Sequence, residues 1–147
     1  MQKDVIISIY GLQEAEGVPS DNVTLVTQGK YTRKNGKYYL SYEESDLTGL
    51  AGTRTTLKVD EHAVNVIRTG LYPSHLVFEK GRRHQSLYHT EFGDLMVGVN
   101  TEQIKSTLDD DGGSVDVLYA VEIDHVLAGT NHLKVDVRRA DRKGFSI

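Results

Sequence analysis

The sequence predicts an all-β fold: an antiparallel up-and-down barrel of about eight to ten strands, built as one domain over residues 1–147 with one short helix. Two observations carry this. In 114–123, Val115, Val117, Tyr119, Val121 and Ile123 occupy every second position, the period of a strand with one face buried. The same alternation recurs along most of the chain, broken every 8–12 residues or so by turn signals, as in sandwiches and barrels. An up-and-down sheet this long curls, and closure removes its exposed edges.

The elements follow in order. Val5–Tyr10 is the first strand, closed by Gly11, and 13–20 reads as a polar loop. Val23–Arg33 alternates, with Gly29 marking a bend or bulge. Asn35-Gly36 is a strong hairpin signal, because both residues tolerate positive φ in a tight turn; Lys37–Glu44 returns along the first arm. Leu47–Gly52 connects to Thr53–Val59, Asp60-Glu61-His62 turns, and Ala63–Thr69 runs back to a break at Gly70–Pro73. His75–Glu79 and Arg82–Glu91 form a hairpin around Lys80-Gly81, and Phe92-Gly93-Asp94 turns into Leu95–Asn100. Thr101–Leu108 is the candidate helix, with Ile104 and Leu108 four apart and Thr101 as its cap. Asp109–Gly113 ends it. Val115–Ile123 and His132–Arg138 make the last hairpin through His125–Asn131.

Composition bounds the function. The net charge of −4 and pI near 5.8 argue against a nucleic-acid partner, which calls for a basic stripe. The absence of cysteine excludes disulfides and thiolate chemistry and suits a reducing compartment. No run approaches the ~18 apolar residues of a membrane helix, and Val5–Ile9 is too short for a signal segment, so the expectation is a soluble, cytoplasmic protein without a membrane partner. The six histidines show no ligand spacing, and Asp109-Asp110-Asp111 lacks the alternating ligands of a calcium loop, so neither a metal nor a cofactor is expected. Phosphate-loop, hydrolase and dinucleotide signatures are absent, and the expectation leans away from an enzyme.

Parity assigns inward faces. Two inward stripes end in a charge: Leu40, Tyr42, Glu44 and Val64, Val66, Arg68. A lone buried charge costs several kcal/mol or more, so Glu44 should meet a cation or a ligand, and the planar fork of arginine suits a carboxylate. Tyr88, Thr90 and Phe92 share one face; if it is internal, Tyr88 and Thr90 add two hydroxyls to an apolar cavity, and Tyr42 and Tyr119 add two more. Outward apolar residues (Val26, Ile67, Val77, Met96, Leu118, Ala120) are the cue for an interaction surface.

The ordered set Tyr42-Glu43-Glu44, Thr53-Arg54-Thr55-Thr56, Ile67-Arg68-Thr69-Gly70, Tyr88-His89-Thr90-Glu91-Phe92-Gly93 and Val117-Leu118-Tyr119 resembles the YwiB-like family. These are small bacterial proteins with a calycin-like, lipocalin-type barrel and no assigned biochemical function. The resemblance implies the same barrel and places the family's motif positions on Glu44, Arg68, Tyr88, Thr90 and Gly93. The expected function is non-catalytic binding of a small, partly apolar molecule inside the barrel, with Tyr42, Glu44, Arg68, Tyr88, Thr90 and Tyr119 as ligand-binding residues. The alternative is a structural or protein-interaction module, self-associating as a homodimer, with a filled barrel and no ligand.

Overall fold

The computed structural model describes residues 2–15, 18–46, 50–90 and 93–140, with side chains described at all of these except 12–15, 18–23 and 88–90. Ten strands make one antiparallel sheet: β1 (Gln2–Ala15), β2 (Val18–Lys34), β3 (Lys37–Glu43), β4 (Thr53–Val59), β5 (Ala63–Gly70), β6 (Ser74–Glu79), β7 (Arg83–Thr90), β8 (Gly93–Ser106), β9 (Gly112–Ile123) and β10 (Val126–Arg139). Their order is β6-β5-β4-β3-β2-β1-β10-β9-β8-β7. Within β1–β6 and within β7–β10 each strand pairs with the next in sequence, and the two runs are joined by β1 pairing with β10, Val5 opposite Arg139 and Ile9 opposite Val135. The result is a nearly closed barrel.

A seam remains between β6 and β7, which the sequence reading joins as a hairpin. No ladder links these strands among the described residues. The turn between them is bonded to β8 instead: Gly81 N–H donates to Thr101 O at 3.0 Å, and Thr101 N–H to Arg82 O at 3.5 Å. Those bonds draw the start of β7 onto β8, where Arg83 lies opposite Asn100. Across the seam Phe78 packs on Tyr119 with ring centroids 4.5 Å apart, and His84 Nε2 meets Glu79 Oε1 at 2.9 Å.

The expected helix at Thr101–Leu108 is absent; Thr101–Ser106 continues β8. The register against β9 shifts between Thr101 (opposite Tyr119) and Gln103 (opposite Leu118). Such a bulge switches which positions face inward, from Val97, Val99 and Thr101 to Ile104 and Leu108. Spacing by four also places two residues on one face of a strand, so Ile104 and Leu108 fit either structure. Two expected loops are strand as well: Gln13–Ala15 pairs with β2, and Val126–Asn131 pairs with β9 through a shift between Leu127 and Gly129. Leu47 to Gly49, Glu91 and Phe92 of the expected connections lie outside the described residues.

The core forms where inward stripes meet: Val5 and Ile7 (β1), Tyr31 (β2), Leu40 and Tyr42 (β3), Leu57 and Val59 (β4), Val64 and Val66 (β5), Phe78 (β6), Val99 (β8), Val115 and Val117 (β9), Val135 and Val137 (β10). Every one is buried. At roughly 1.5–3 kcal/mol for each large apolar side chain removed from water, these stripes are the main force holding the sheet curled.

Candidate functional site

An antiparallel meander puts the connections after β1, β3, β5, β7 and β9 at one end and the remainder at the other. The two ends differ. Along β1, Val5 and Ile7 are fully buried and Ile9 only partly; along β9, Val115 and Val117 are buried while Tyr119 and Val121 are partly so. The same gradient runs from Val135 to Leu133 and Asn131 on β10, from Val99 to Val97 and Leu95 on β8, and from Phe78 to Leu76 on β6. Six strands, counting Tyr31 to Leu25 on β2, thus carry an inward apolar wall that is sealed low and opens toward the odd-numbered connections. By burial, the described residues outline a cup whose shallower end lies at those connections.

The closed end is plugged by the β8–β9 turn. Tyr31 Oη donates to Asp109 O at 2.6 Å, Arg33 Nη1 reaches Asp110 Oδ1 at 3.2 Å, and Arg139 Nη1 reaches Asp111 Oδ1 at 3.5 Å. The three aspartates are an exposed cross-strand fastening. Burial and the neighbouring Tyr38 push the Tyr31 phenol well above its ordinary range.

At the open end, β3 and β4 form the one sealed wall. Tyr42 lies opposite Thr55 and Thr55 opposite Arg68, so strict alternation on three adjacent strands sets the three side chains in one inward row. Glu44 stands next along the Tyr42 stripe, fixed by its backbone N–H donating to Thr53 O at 2.8 Å. Its carboxylate is 2% exposed and accepts a hydrogen bond from Thr55 Oγ1. Arg68 Nε lies 3.7 Å from Glu44 Oε2 and donates to Thr55 Oγ1 at 3.3 Å. The structure thus brings together the Glu44 and Arg68 that parity selects, with Thr55 as a bridge. The phenol of Tyr42 is pushed up to about 12, first by burial and then by the adjacent Glu44 charge, with Arg68 acting in the opposite direction.

This wall is roofed by the β5–β6 turn: Leu71 N–H donates to Gly52 O at 3.2 Å and Tyr72 N–H to Thr53 Oγ1 at 3.3 Å. Arg68 itself is 26% exposed. Its Nε is committed to Thr55 and Glu44, and its two Nη groups have no partner among the described residues. A guanidinium held by one nitrogen at the lip of an apolar cup presents its remaining N–H groups to whatever acceptor enters.

Tyr119 points inward as expected, on the opposite wall, where Asn131 Nδ2 donates to its hydroxyl at 3.3 Å. Tyr88 and Thr90 are backbone members of β7, opposite Leu95 and Gly93; their side chains lie outside the described ones. Sequence reasoning missed Thr55 as the bridge, although it already sat on an inward stripe, and missed Asn131 by reading its segment as a turn. Hollows lie away from the open end: a groove of about 660 Å3 on the outer wall, where the β2–β3 ladder stops at Lys30–Ser41, one of about 420 Å3 under Tyr38, Val59 and Leu108 at the closed end, and smaller ones of about 330 Å3 beside His132 and about 250 Å3 beside Arg33. Among the described residues no helix is long and apolar enough to cross a membrane.

Residues 7–135 match the family described as "Domain of unknown function (DUF1934)". The chain is 35% identical over 98 residues to the "Uncharacterized beta-barrel protein YwiB" of Bacillus subtilis (strain 168), an alignment covering 66% of this chain and 67% of that protein. The crystal structure of the ywiB protein from Bacillus subtilis superposes with a TM-score of 0.82, covering 95% of this chain and 94% of that one at 24% identity. The lower identity belongs to the longer alignment, and at that level the superposition speaks for the fold alone. With the family match spanning most of the barrel, the chain belongs to the DUF1934 family of YwiB-like β-barrel proteins.

Proposed function

We propose that this barrel binds a small, partly apolar molecule in its open end, with Arg68 as the polar anchor. The observation that carries the reading is the shared burial gradient of the inward stripes: six strands hold apolar side chains facing the axis that are fully buried low in the barrel and only partly buried toward the same end. Covering such a wall is favourable by about 25 cal/mol per Å2 of apolar surface removed from water. The Arg68 Nη groups add direction, favouring a ligand whose acceptor oxygen (carbonyl, hydroxyl or carboxylate) lies at the lip. Glu44 and Thr55 hold the guanidinium in place.

Native mass spectrometry of protein purified from its own host tests this. The expected result is a co-purifying small molecule on the wild type and its loss from Arg68→Lys, which keeps the charge beside Glu44 but not the fork. A bare wild-type chain, with no gain in thermal stability from apolar compounds bearing an acceptor oxygen, sinks the reading.

A second reading, an interaction module, rests on a separate observation. The ladder between β2 and β3 ends at Lys30–Ser41, and above it, among the described residues, β2 pairs with β1 alone. That edge carries no charge from Asn22 to Gly29, and Val26 beside it is 60% exposed. Natural edges are usually blunted by charge. Light scattering decides this alternative: a mass that doubles with concentration and reverts in Val26→Lys favours it, and a strict monomer removes it.

A further inference from the structure

The wall opposite Arg68 carries a second polar row. Thr101 lies opposite Tyr119 on β8 and β9, and Tyr119 opposite Asn131 on β9 and β10, so three adjacent strands set three polar side chains abreast on the inward face. Their surroundings are apolar: Val117 and Val121 flank Tyr119 on its stripe, Leu133 follows Asn131, and the Phe78 ring lies 4.5 Å from that of Tyr119.

Two atoms of this row are buried without a hydrogen-bond partner among the described residues: Thr101 Oγ1 and Asn131 Oδ1. Thr101 is only 3% exposed. An unsatisfied buried polar group destabilises the fold, and a valine at Thr101 or a leucine at Asn131 would avoid that cost. Asn131 is not free to turn away, because its Nδ2 donates to the Tyr119 hydroxyl at 3.3 Å. That bond fixes the amide and leaves Oδ1, which can only accept, buried and unpaired.

We infer that Thr101 and Asn131 form a recognition station for a hydrogen-bond donor on the bound molecule, so the ligand class is an apolar body with a hydroxyl or N–H group at the β8–β10 wall and an acceptor oxygen toward Arg68. The inference rests on the reading of the open end as a binding site and adds to it the polarity of the far group. An apolar molecule lacking a donor would leave Oδ1 unsatisfied in a dry site, which is the strongest basis small pockets have for rejecting a close analogue.

The test compares 1-decanol with decyl methyl ether, which share a chain and an oxygen and differ in the donor. Wild-type protein should bind the alcohol roughly five- to tenfold more tightly, the worth of one buried neutral hydrogen bond. Asn131→Leu should bind the two equally. The near-isosteric Thr101→Val supplies a readout that needs no ligand: its unfolding midpoint should rise by roughly 2–4 °C, since it removes an unpaired hydroxyl. Equal binding of both probes by the wild type, or a lower midpoint for Thr101→Val, overturns this assignment while leaving the open-end reading standing. Failure of the wild type to bind either probe overturns both.

Discussion

Tyr31 and Asp109 are 78 residues apart in sequence and joined by one hydrogen bond of 2.6 Å, from the phenol of a core tyrosine to a turn carbonyl. The bond ties β2 to the β8–β9 connection and sets the plug in the closed end. The Tyr31 ring also stacks on Tyr38 at 5.7 Å, nearly parallel, so Tyr31→Phe keeps the packing and removes only the donor. The expected loss is about 1 kcal/mol in urea unfolding, with unchanged cooperativity. No loss would mean that the plug is held by its exposed ion pairs alone.

Tyr42 makes the barrel sensitive to alkali. Its phenol is raised from 10 to about 12 in the fold, so below pH 10 both folded and unfolded chains keep the proton and stability is unaffected. Between pH 10 and 12 the unfolded chain loses the proton first, and stability falls as pH rises, by up to about 3 kcal/mol when both forms are ionised. Tyr42→Phe should make that part of the pH–stability curve shallower, leaving the share that the raised Tyr31 contributes. An unchanged alkaline limb in Tyr42→Phe would refute this account.

Thr55→Val deletes the hydroxyl shared by Glu44 and Arg68 with little change of shape. A hydrogen bond to a charged group is worth roughly 1.5–3 kcal/mol, so chemical unfolding should show a loss of that order. The double variant Thr55→Val with Glu44→Gln should lose less than the sum of the two singles, because the bond broken is the same. Strict additivity would show that the two side chains act independently.

Gly29 sits where β2 parts from β3. A Cβ there would collide with Ile7 Cδ1 and lie 2.5 Å from Ser41 O. Backbone cannot yield cheaply, so Gly29→Ala should cost roughly 1–3 kcal/mol. The outer groove lined by Gln28, Ser41 and Arg54 should widen, visible as faster amide exchange at Lys30 and Ser41. Wild-type stability in Gly29→Ala would show that the two strands separate without strain.

Much of this architecture was legible. Thr53–Val59 has the same limits in sequence and structure, because it alternates without interruption and is bounded by turn residues. Legibility failed where the period of two slips. The shift beside Gln103 made a strand resemble a helical turn, and the shift beside Gly129 hid the first half of β10. The seam between β6 and β7 was illegible for another reason: it depends on backbone bonds from Gly81 and to Arg82 that any sequence could make. In the site, parity paired Glu44 with Arg68 because both end apolar stripes. It gave no hint of the Thr101–Asn131 row, since one member lay at a bulge and the other in a segment read as loop.

The meeting of β1 with β10 bears on how the chain reaches this state. All other pairings except that one join neighbours in sequence, so β1–β6 and β7–β10 can each zip locally through hairpins. Joining Val5 to Arg139 must instead bring together segments from opposite ends of the polypeptide, with the full loop-closure entropy opposing it. Of the ladders described it carries the largest closure cost, and without it the β8–β9 turn is not held against Tyr31 of β2.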